Sequence, residues 1–292
     1  MGQAITILTV AYHSHGALTL LGRDLSRQRP GPVRWLVVNN APRSAPLQPE
    51  DVVPAGNEMG GRLEVIEGVE AEGFGAGCNR GFEHLAQHGW QDWVWLLNPD
   101  TRLPIGNELS RLADGLITLS PQALVGTAVR SADGEMEPSA GWIDPGLRFR
   151  SRRVRLSHLN AGEPVLLDWL SGCSLCLRPD AHHPPARFDP AFLLYYEDMD
   201  LCLRLGRNGA PVIWLPAPVI HHQRGAGSST SSPRRLQLST VSYLHFLRVH
   251  CASWVVGIRA LRLLVKSLLL LPVRPGESLA VLAALPQGLT RP

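Results

Sequence analysis

Glu197, Asp198 and Asp200 put three acids within four positions of the run YYEDMDLCLRL, Tyr195 to Leu205. Carboxylates this dense can hold a cation or take a proton from an attacking hydroxyl. At a helix start, dipole stabilisation of a solvated first turn accounts for one or two of them. It does not account for Tyr195 and Tyr196, whose rings would strip water from the acids and raise their basicity, as suits a general base. Arg204, four residues after Asp200, can pair with it across one turn. Asp100 stands in NPDT, Asn98 to Thr101, just past an apolar run. One or two carboxylates suffice for Mg²⁺ or Mn²⁺ when phosphates and water complete the shell, although the bland reading of such a tripeptide is a capped turn. HHQRGAGSS, His221 to Ser229, offers imidazole ligands and, in Arg224 with its Gly/Ser loop, a cover for phosphates.

The glycines of EGFGAGCNRGF, Glu72 to Phe82, suggest close backbone approach to a phosphate. The dinucleotide fingerprint fails, because its last glycine falls on Cys78 or Arg80, and the Gly-Lys-Ser/Thr ending of a P-loop is absent. That excludes the common NAD and NTP signatures. Cys173 and Cys176 lie three apart in a predicted strand and so face opposite ways, which speaks against a zinc site.

A sheet must position these groups. Residues 4–10 and 33–38 read as strands around a helix at 17–28, followed by an irregular Pro/Gly stretch at 41–61. LEVIEG forms a third strand, Cys78 to His88 a short helix, and DWVWLL, 92–97, a fourth strand buried on both faces. Pro99 lacks an N–H and restricts Asn98 to extended geometry, so the chain leaves the sheet there. Asn98 and Asp100 thus sit at a strand's carboxyl end, where open α/β sheets place ligands. Helix 106–119, strand 122–129, a polar connection to about 163, strand 165–177, helix 197–208 and strand 211–215 continue the alternation.

The chain of 292 residues can bury a full core. Its 28 Lys+Arg against 25 Asp+Glu leave +3, too slight an excess for a duplex-DNA footprint. Five scattered cysteines do not form a secreted disulfide framework, and the N-terminal apolar run has no cationic start. These two features predict a cytoplasmic protein, and the slight charge predicts one that binds no nucleic acid.

In order, the segments VAYHS, VVNNAP, GFGAGCNRG, LLNPD, WLSG, FDPAFLLYYEDMDLCLR and PAPVIHH resemble family 2 glycosyltransferases of the rhamnosyltransferase-like branch, from Ile5 to about Ser229. The resemblance implies an α/β GT-A nucleotide-diphospho-sugar transferase fold, a mostly parallel central sheet flanked by helices, with a C-terminal helical extension. It implies a metal-dependent, inverting hexosyltransferase of polysaccharide biosynthesis at the cell envelope. Such an enzyme moves a sugar, rhamnose in this branch, from a nucleoside diphosphate to a glycan or lipid-linked hydroxyl. By resemblance Asp198 is the base and Glu197 and Asp200 its neighbours. Asp100 is the metal acid, Asn98 replaces the first Asp of that element, and His221 completes the metal site, with adjacent His222 as the alternative. Tyr12, Asn39, Asn40, Gly77, Asn79, Asn98 and Arg224 would bind the donor, and Trp169, Ser171 and Gly172 the acceptor. The cofactor implied is Mn²⁺ or Mg²⁺. Two departures stand out: the family's Asp-Asn after the second strand reads Asn39-Asn40, and its Tyr-Asn after the first reads Tyr12-His13. An amide still accepts a hydrogen bond from a nucleobase, with less charge assistance.

Competing readings are a sugar nucleotidyltransferase and an inactive sugar-binding scaffold. The first needs a basic N-terminal loop, and residues 10–16 hold no Lys or Arg; the second should have lost Asp100 or Asp198, and both are present. A catalytic domain is expected over 1–232, with a nucleotide-sugar half at 1–100 and an acceptor half at 101–232. Residues 233–292 form the extension. Within it, Ala252 to Leu271 is almost entirely apolar apart from Arg259, Arg262 and Lys266, which fall on one helical side. Three central cations oppose a membrane span, while Trp254 and Leu268 to Leu271 beside them predict a peripheral contact with the inner face of the membrane; the alternative is a helix packed on the catalytic domain or a partner subunit with its cations in water.

Overall fold

Alternation of apolar residues on both faces of the first strands dictates a sheet covered on two sides. The computed structural model describes residues 3–53, 62–144, 150–223 and 232–290. It opens with β1 (Ile5–Ala11), α1 (His15–Arg27), β2 (Arg34–Asn39), α2 (Pro49–Val52), β3 (Arg62–Glu67), α3 (Phe74–Gln87) and β4 (Trp93–Leu97). These four strands pair in parallel, in the order β3-β2-β1-β4. Leu8, Val10, Leu36, Val38 and Leu96 face one core with Phe82 and Leu85 of α3. Ile7, Trp35, Val37, Trp95 and Leu97 face the other, with Leu18, Leu21 and Leu25 of α1.

The second half comprises β5 (Thr101–Arg102), α4 (Glu108–Leu116), β6 (Leu124–Ser131), β7 (Ala140–Asp144), β8 (Arg150–Arg153) and α5 (Leu156–Ala161). It continues with β9 (Val165–Leu166), β10 (Trp169–Leu170), β11 (Ser174–Leu177), α6 (Glu197–Arg207) and β12 (Val212–His222). The sheet extends from β4 through an antiparallel β11 to β6, β12 and β5, while β10, β7 and β8 form a small second sheet. The expected strand over 165–177 is therefore three short pieces in two sheets, and the expected polar connection to 163 contains β7, β8 and α5. Two-residue strands and side-on pairing leave no periodicity long enough to read. β12 runs past the expected 215 to His222, across a register shift between Leu215 and Val219.

The chain ends in three helices, α7 (Pro233–His250), α8 (Ser253–Leu270) and α9 (Pro275–Thr290). Helix α9 packs on α7, where the Gly288 position lies against Leu244 and leaves no room for a side chain. Helix α8 lies against α9 and α7.

Candidate active site

Asp100 reaches the site because the chain leaves β4 at Asn98 and pairs again as β5, whose Thr101 stands opposite His222 of β12. The Gln223 N–H then donates to the Asp100 carbonyl at 2.8 Å. This meeting of two strand ends sets the His222 Nε2 3.2 Å from Asp100 Oδ1, while its Nδ1 lies 2.9 Å from Glu137 Oε2. Burial opposes charge on this imidazole, but its hydrogen bonds to Asp100 and the Cys173 sulfur outweigh burial and carry its pKa up to about 11. The histidine beside Asp100 is thus His222. His221, its neighbour on the strand, opposes Arg102 and turns the other way by the alternation of strand side chains.

The acids of α6 separate into different roles. Asp198 is half-buried; its Oδ2 accepts the Gly172 N–H at 2.9 Å and its Oδ1 the Met199 N–H at 2.8 Å. Burial raises its pKa against the pull of these donors. Glu197 is 9% exposed, and its Oε2 has no hydrogen-bond partner. Burial first, and then the Asp198 charge, push the Glu197 carboxyl up to about 8. Asp200 is fully buried and turned away, bound to Arg204 Nε at 2.7 Å and to His250 Nε2 at 2.9 Å. Its expected place beside the base is corrected to a tie between α6 and the end of α7.

Two cavities meet at Asp198. One, of about 460 Å³, is lined by Asn98, Asp100, Glu137, Cys173, Glu197, His222 and Arg235. The other, of about 540 Å³, is lined by Ile143, Trp169, Tyr196, Met199, Tyr243 and Phe246. Pro138, Ser171, Tyr195 and Asp198 border both. Tyr195 and Tyr196 lie consecutively in the left-handed region, φ 65° and 70°. Tyr196 packs on Tyr243 and Phe246 of α7, with ring centroids 5.6 and 5.4 Å apart.

Of the expected acceptor residues, Trp169 and Ser171 line the second cavity, and Gly172 holds Asp198. A side chain at Gly172 would meet the Phe74 ring. The expected donor residues are less convergent. Asn98 lines the first cavity, and Tyr12 lies exposed at the end of β1, edge-on to His13. Asn39 and Asn40 are buried: Asn39 donates to the Ala45 carbonyl and accepts from the Ala41 N–H, and Asn40 donates to the Gly73 carbonyl. Asn79 clasps the backbone of Phe188 with both ends of its amide. Gly77 lies inside α3, pressed on Val10 and Asn40. The glycine segment therefore packs a helix rather than forming a phosphate loop, because α3 begins at Phe74 instead of Cys78. Arg224 lies outside the described residues.

Sequence reasoning missed Glu137 and Arg235, and weighed Cys173 only as half of a zinc site. None belongs to a motif, and only the pairing of strand ends and the docking of α7 bring them in. Among the described residues no three His, Cys, Asp or Glu side chains form a ready metal cage. Asp100 and His222, with Glu137 fixing the far imidazole nitrogen, fit a hard or borderline cation that takes its other ligands from phosphate and water, His222 giving up its proton on binding.

No family model matches the chain. It is 25% identical to the N-acetylglucosaminyl-diphospho-decaprenol L-rhamnosyltransferase of Mycobacterium tuberculosis over 214 residues, 64% of this chain and 67% of that protein. Among solved structures it resembles GalNAc-T7 with UDP, GalNAc and Mn²⁺ (TM-score 0.58, 11% identity), covering 84% of this chain and 50% of the other. The chain thus spans half the length of that structure. It also resembles the mannosyltransferase PcManGT of Pyrobaculum calidifontis in complex with GDP-Man and Mn²⁺ (TM-score 0.56, 12% identity; 99% and 88% covered). The S. aureus TarS fragment with UDP-GlcNAc gives a TM-score of 0.51 at 14% identity, with 82% and 66% covered. The chain has the GT-A fold expected of it.

Proposed function

We propose that this chain is a rhamnosyltransferase-like family 2 glycosyltransferase that moves a sugar, rhamnose by its M. tuberculosis relative, from a nucleoside diphosphate to a hydroxyl of a lipid-linked glycan. The observation that carries this reading is the position of Asp198 on the border of two cavities. One cavity offers metal-type donors and the other an aromatic wall against which a sugar ring can stack. A group transfer needs that partition: the leaving group on one side, the nucleophile on the other, and a base between them.

Asp198 takes the proton of the acceptor hydroxyl as its oxygen attacks the anomeric carbon, in one displacement that inverts the centre. The Gly172 and Met199 N–H groups fix the carboxylate and keep it anionic, while burial beside Glu197 keeps it basic. Asp100 and His222 would hold Mn²⁺ or Mg²⁺, which when bound would offset the charge growing on the departing diphosphate. The test is transfer from nucleoside-diphospho-rhamnose, offered with each common nucleobase, to N-acetylglucosaminyl-diphospho-prenol with and without Mn²⁺. NMR of the product's anomeric configuration completes it. Retention of configuration, or turnover unaffected by chelator, would overturn the mechanism.

Helix α8 supports a peripheral membrane contact. Trp254, Ile258, Leu261, Val265, Leu268 and Leu269 are exposed along one face, at spacings of one, three or four, and Arg262 and Lys266 flank it. No helix among the described residues is long and apolar enough to cross a membrane. An exposed apolar face beside cations suits the surface of an anionic bilayer.

A further inference from the structure

We propose that Arg235, held against Tyr195, is a diphosphate-binding residue of this site, supplied by α7 from beyond the family motifs. The inference rests on the glycosyltransferase reading above. Arg235 lines the same cavity as Asp100, Glu137, Glu197, Asp198 and His222. A cavity lined by Asp100, Glu137 and Asp198 repels a diphosphate, and a guanidinium lining the same cavity gives phosphate oxygens a planar, bidentate partner.

The position is built. Arg235 Nη2 donates to the Tyr195 hydroxyl, and its Cζ lies 5.5 Å from the centre of that ring. Below, the Ser232 Oγ accepts the Arg235 N–H at 3.2 Å and fixes the first turn of α7. Tyr195 is itself constrained, because the Ser242 Oγ of α7 accepts the Leu193 and Leu194 N–H groups at 3.0 and 3.1 Å just before it. Two successive bulky residues at positive φ persist only where their surroundings over-determine them, and such backbone clusters at ligand clamps. Here it sends Tyr195 to Arg235 and Tyr196 to the aromatic cavity. Tyr195 borders both cavities, so the diphosphate that Arg235 meets belongs either to the donor or to a lipid-linked acceptor.

The experiment measures Kd for UDP, dTDP and inorganic pyrophosphate with Mn²⁺ on the full chain, together with KM for donor and acceptor separately. Arg235→Ala is expected to weaken whichever diphosphate it serves by about 10- to 100-fold, the scale of a charged hydrogen bond, with an unchanged melting temperature. Arg235→Lys should recover part of the loss, and Tyr195→Phe should cost less, roughly 2- to 10-fold. A rise in nucleotide Kd and donor KM assigns the donor's diphosphate, and a rise in acceptor KM alone assigns the acceptor's. If the parent binds nucleotide and Arg235→Ala matches it in every constant within about twofold, Arg235 has no such role. A parent that binds neither nucleotide overturns the functional reading and this proposal with it.

Discussion

Two carboxyls side by side, Asp198 half-buried and Glu197 buried, carry the proposed chemistry at the residue scale. Asp198 keeps two backbone donors and Glu197 leaves an oxygen without a partner, so the pair has one strong hydrogen-bonded anion and one acid that favours its proton. Asp198→Asn keeps the shape of the site and removes the proposed base. Transfer is expected to fall about 10²–10⁴-fold with little change in nucleotide affinity, measured by single-turnover kinetics and nucleotide titration. Glu197 adds a pH dependence of stability. Its folded pKa, about 8, lies above the ordinary 4.5, so between these values the native state holds a proton that the unfolded chain has released. The contribution is full below about 4.5 and is lost as pH rises through about 8. Urea midpoints between pH 5 and 9 should therefore fall with rising pH, and Glu197→Gln should flatten that slope. A parallel slope in the variant would place the titration elsewhere.

At the scale of elements, the loop that carries both tyrosines hangs on α7. Ser242 is fully buried and accepts two successive backbone N–H groups, so Ser242→Ala would leave both donors without an acceptor. A loss of about 1–3 kcal/mol in stability is expected, together with a rise in acceptor KM as the aromatic wall loosens, checked by denaturant titration and steady-state kinetics. The β-α opening was legible because its strands are long and apolar on both faces, and the acid cluster of α6 was legible from its density. The antiparallel β11 and the tie of Asp200 to His250 were not, since each depends on a partner distant in sequence. Nor did any local pattern reveal what the motif asparagines hold: the amides of Asn39, Asn40 and Asn79 clasp backbone of residues 45, 73 and 188. At the end of β12, histidines one residue apart offered equal chemistry, and only the register with β5 separates them.

Across the whole molecule, α7 belongs to the candidate active site as much as to the C-terminal helices, since it bears Arg235, Ser242, Tyr243 and Phe246. Removing everything after Arg248 would strip away α9 and break the buried His250–Asp200 pair, so point changes on α8 test the membrane contact more cleanly. Leu261→Glu with Leu268→Glu, both on the exposed face, should leave melting unchanged and abolish co-sedimentation with anionic vesicles. Arg262→Glu with Lys266→Glu should weaken co-sedimentation, most at low salt. Binding that survives both pairs would return α8 to a packing role. The expectation of an apolar, cation-flanked tail came from residue spacing alone, whereas its attachment to the catalytic wall needed the tertiary packing.

That attachment has a geometric consequence. Helix α8 is braced through α9 and α7 to the wall that carries Tyr196, so a bilayer touching α8 and the carboxylate of Asp198 stand in one frame. If α8 rests on a bilayer as proposed, the transferase would work as a height gauge: the hydroxyl within its reach would be the one that stands at a fixed altitude above the lipid. An acceptor with one sugar too few would fall short, and one with a sugar too many would overshoot, even where every local contact in the cavity is satisfied.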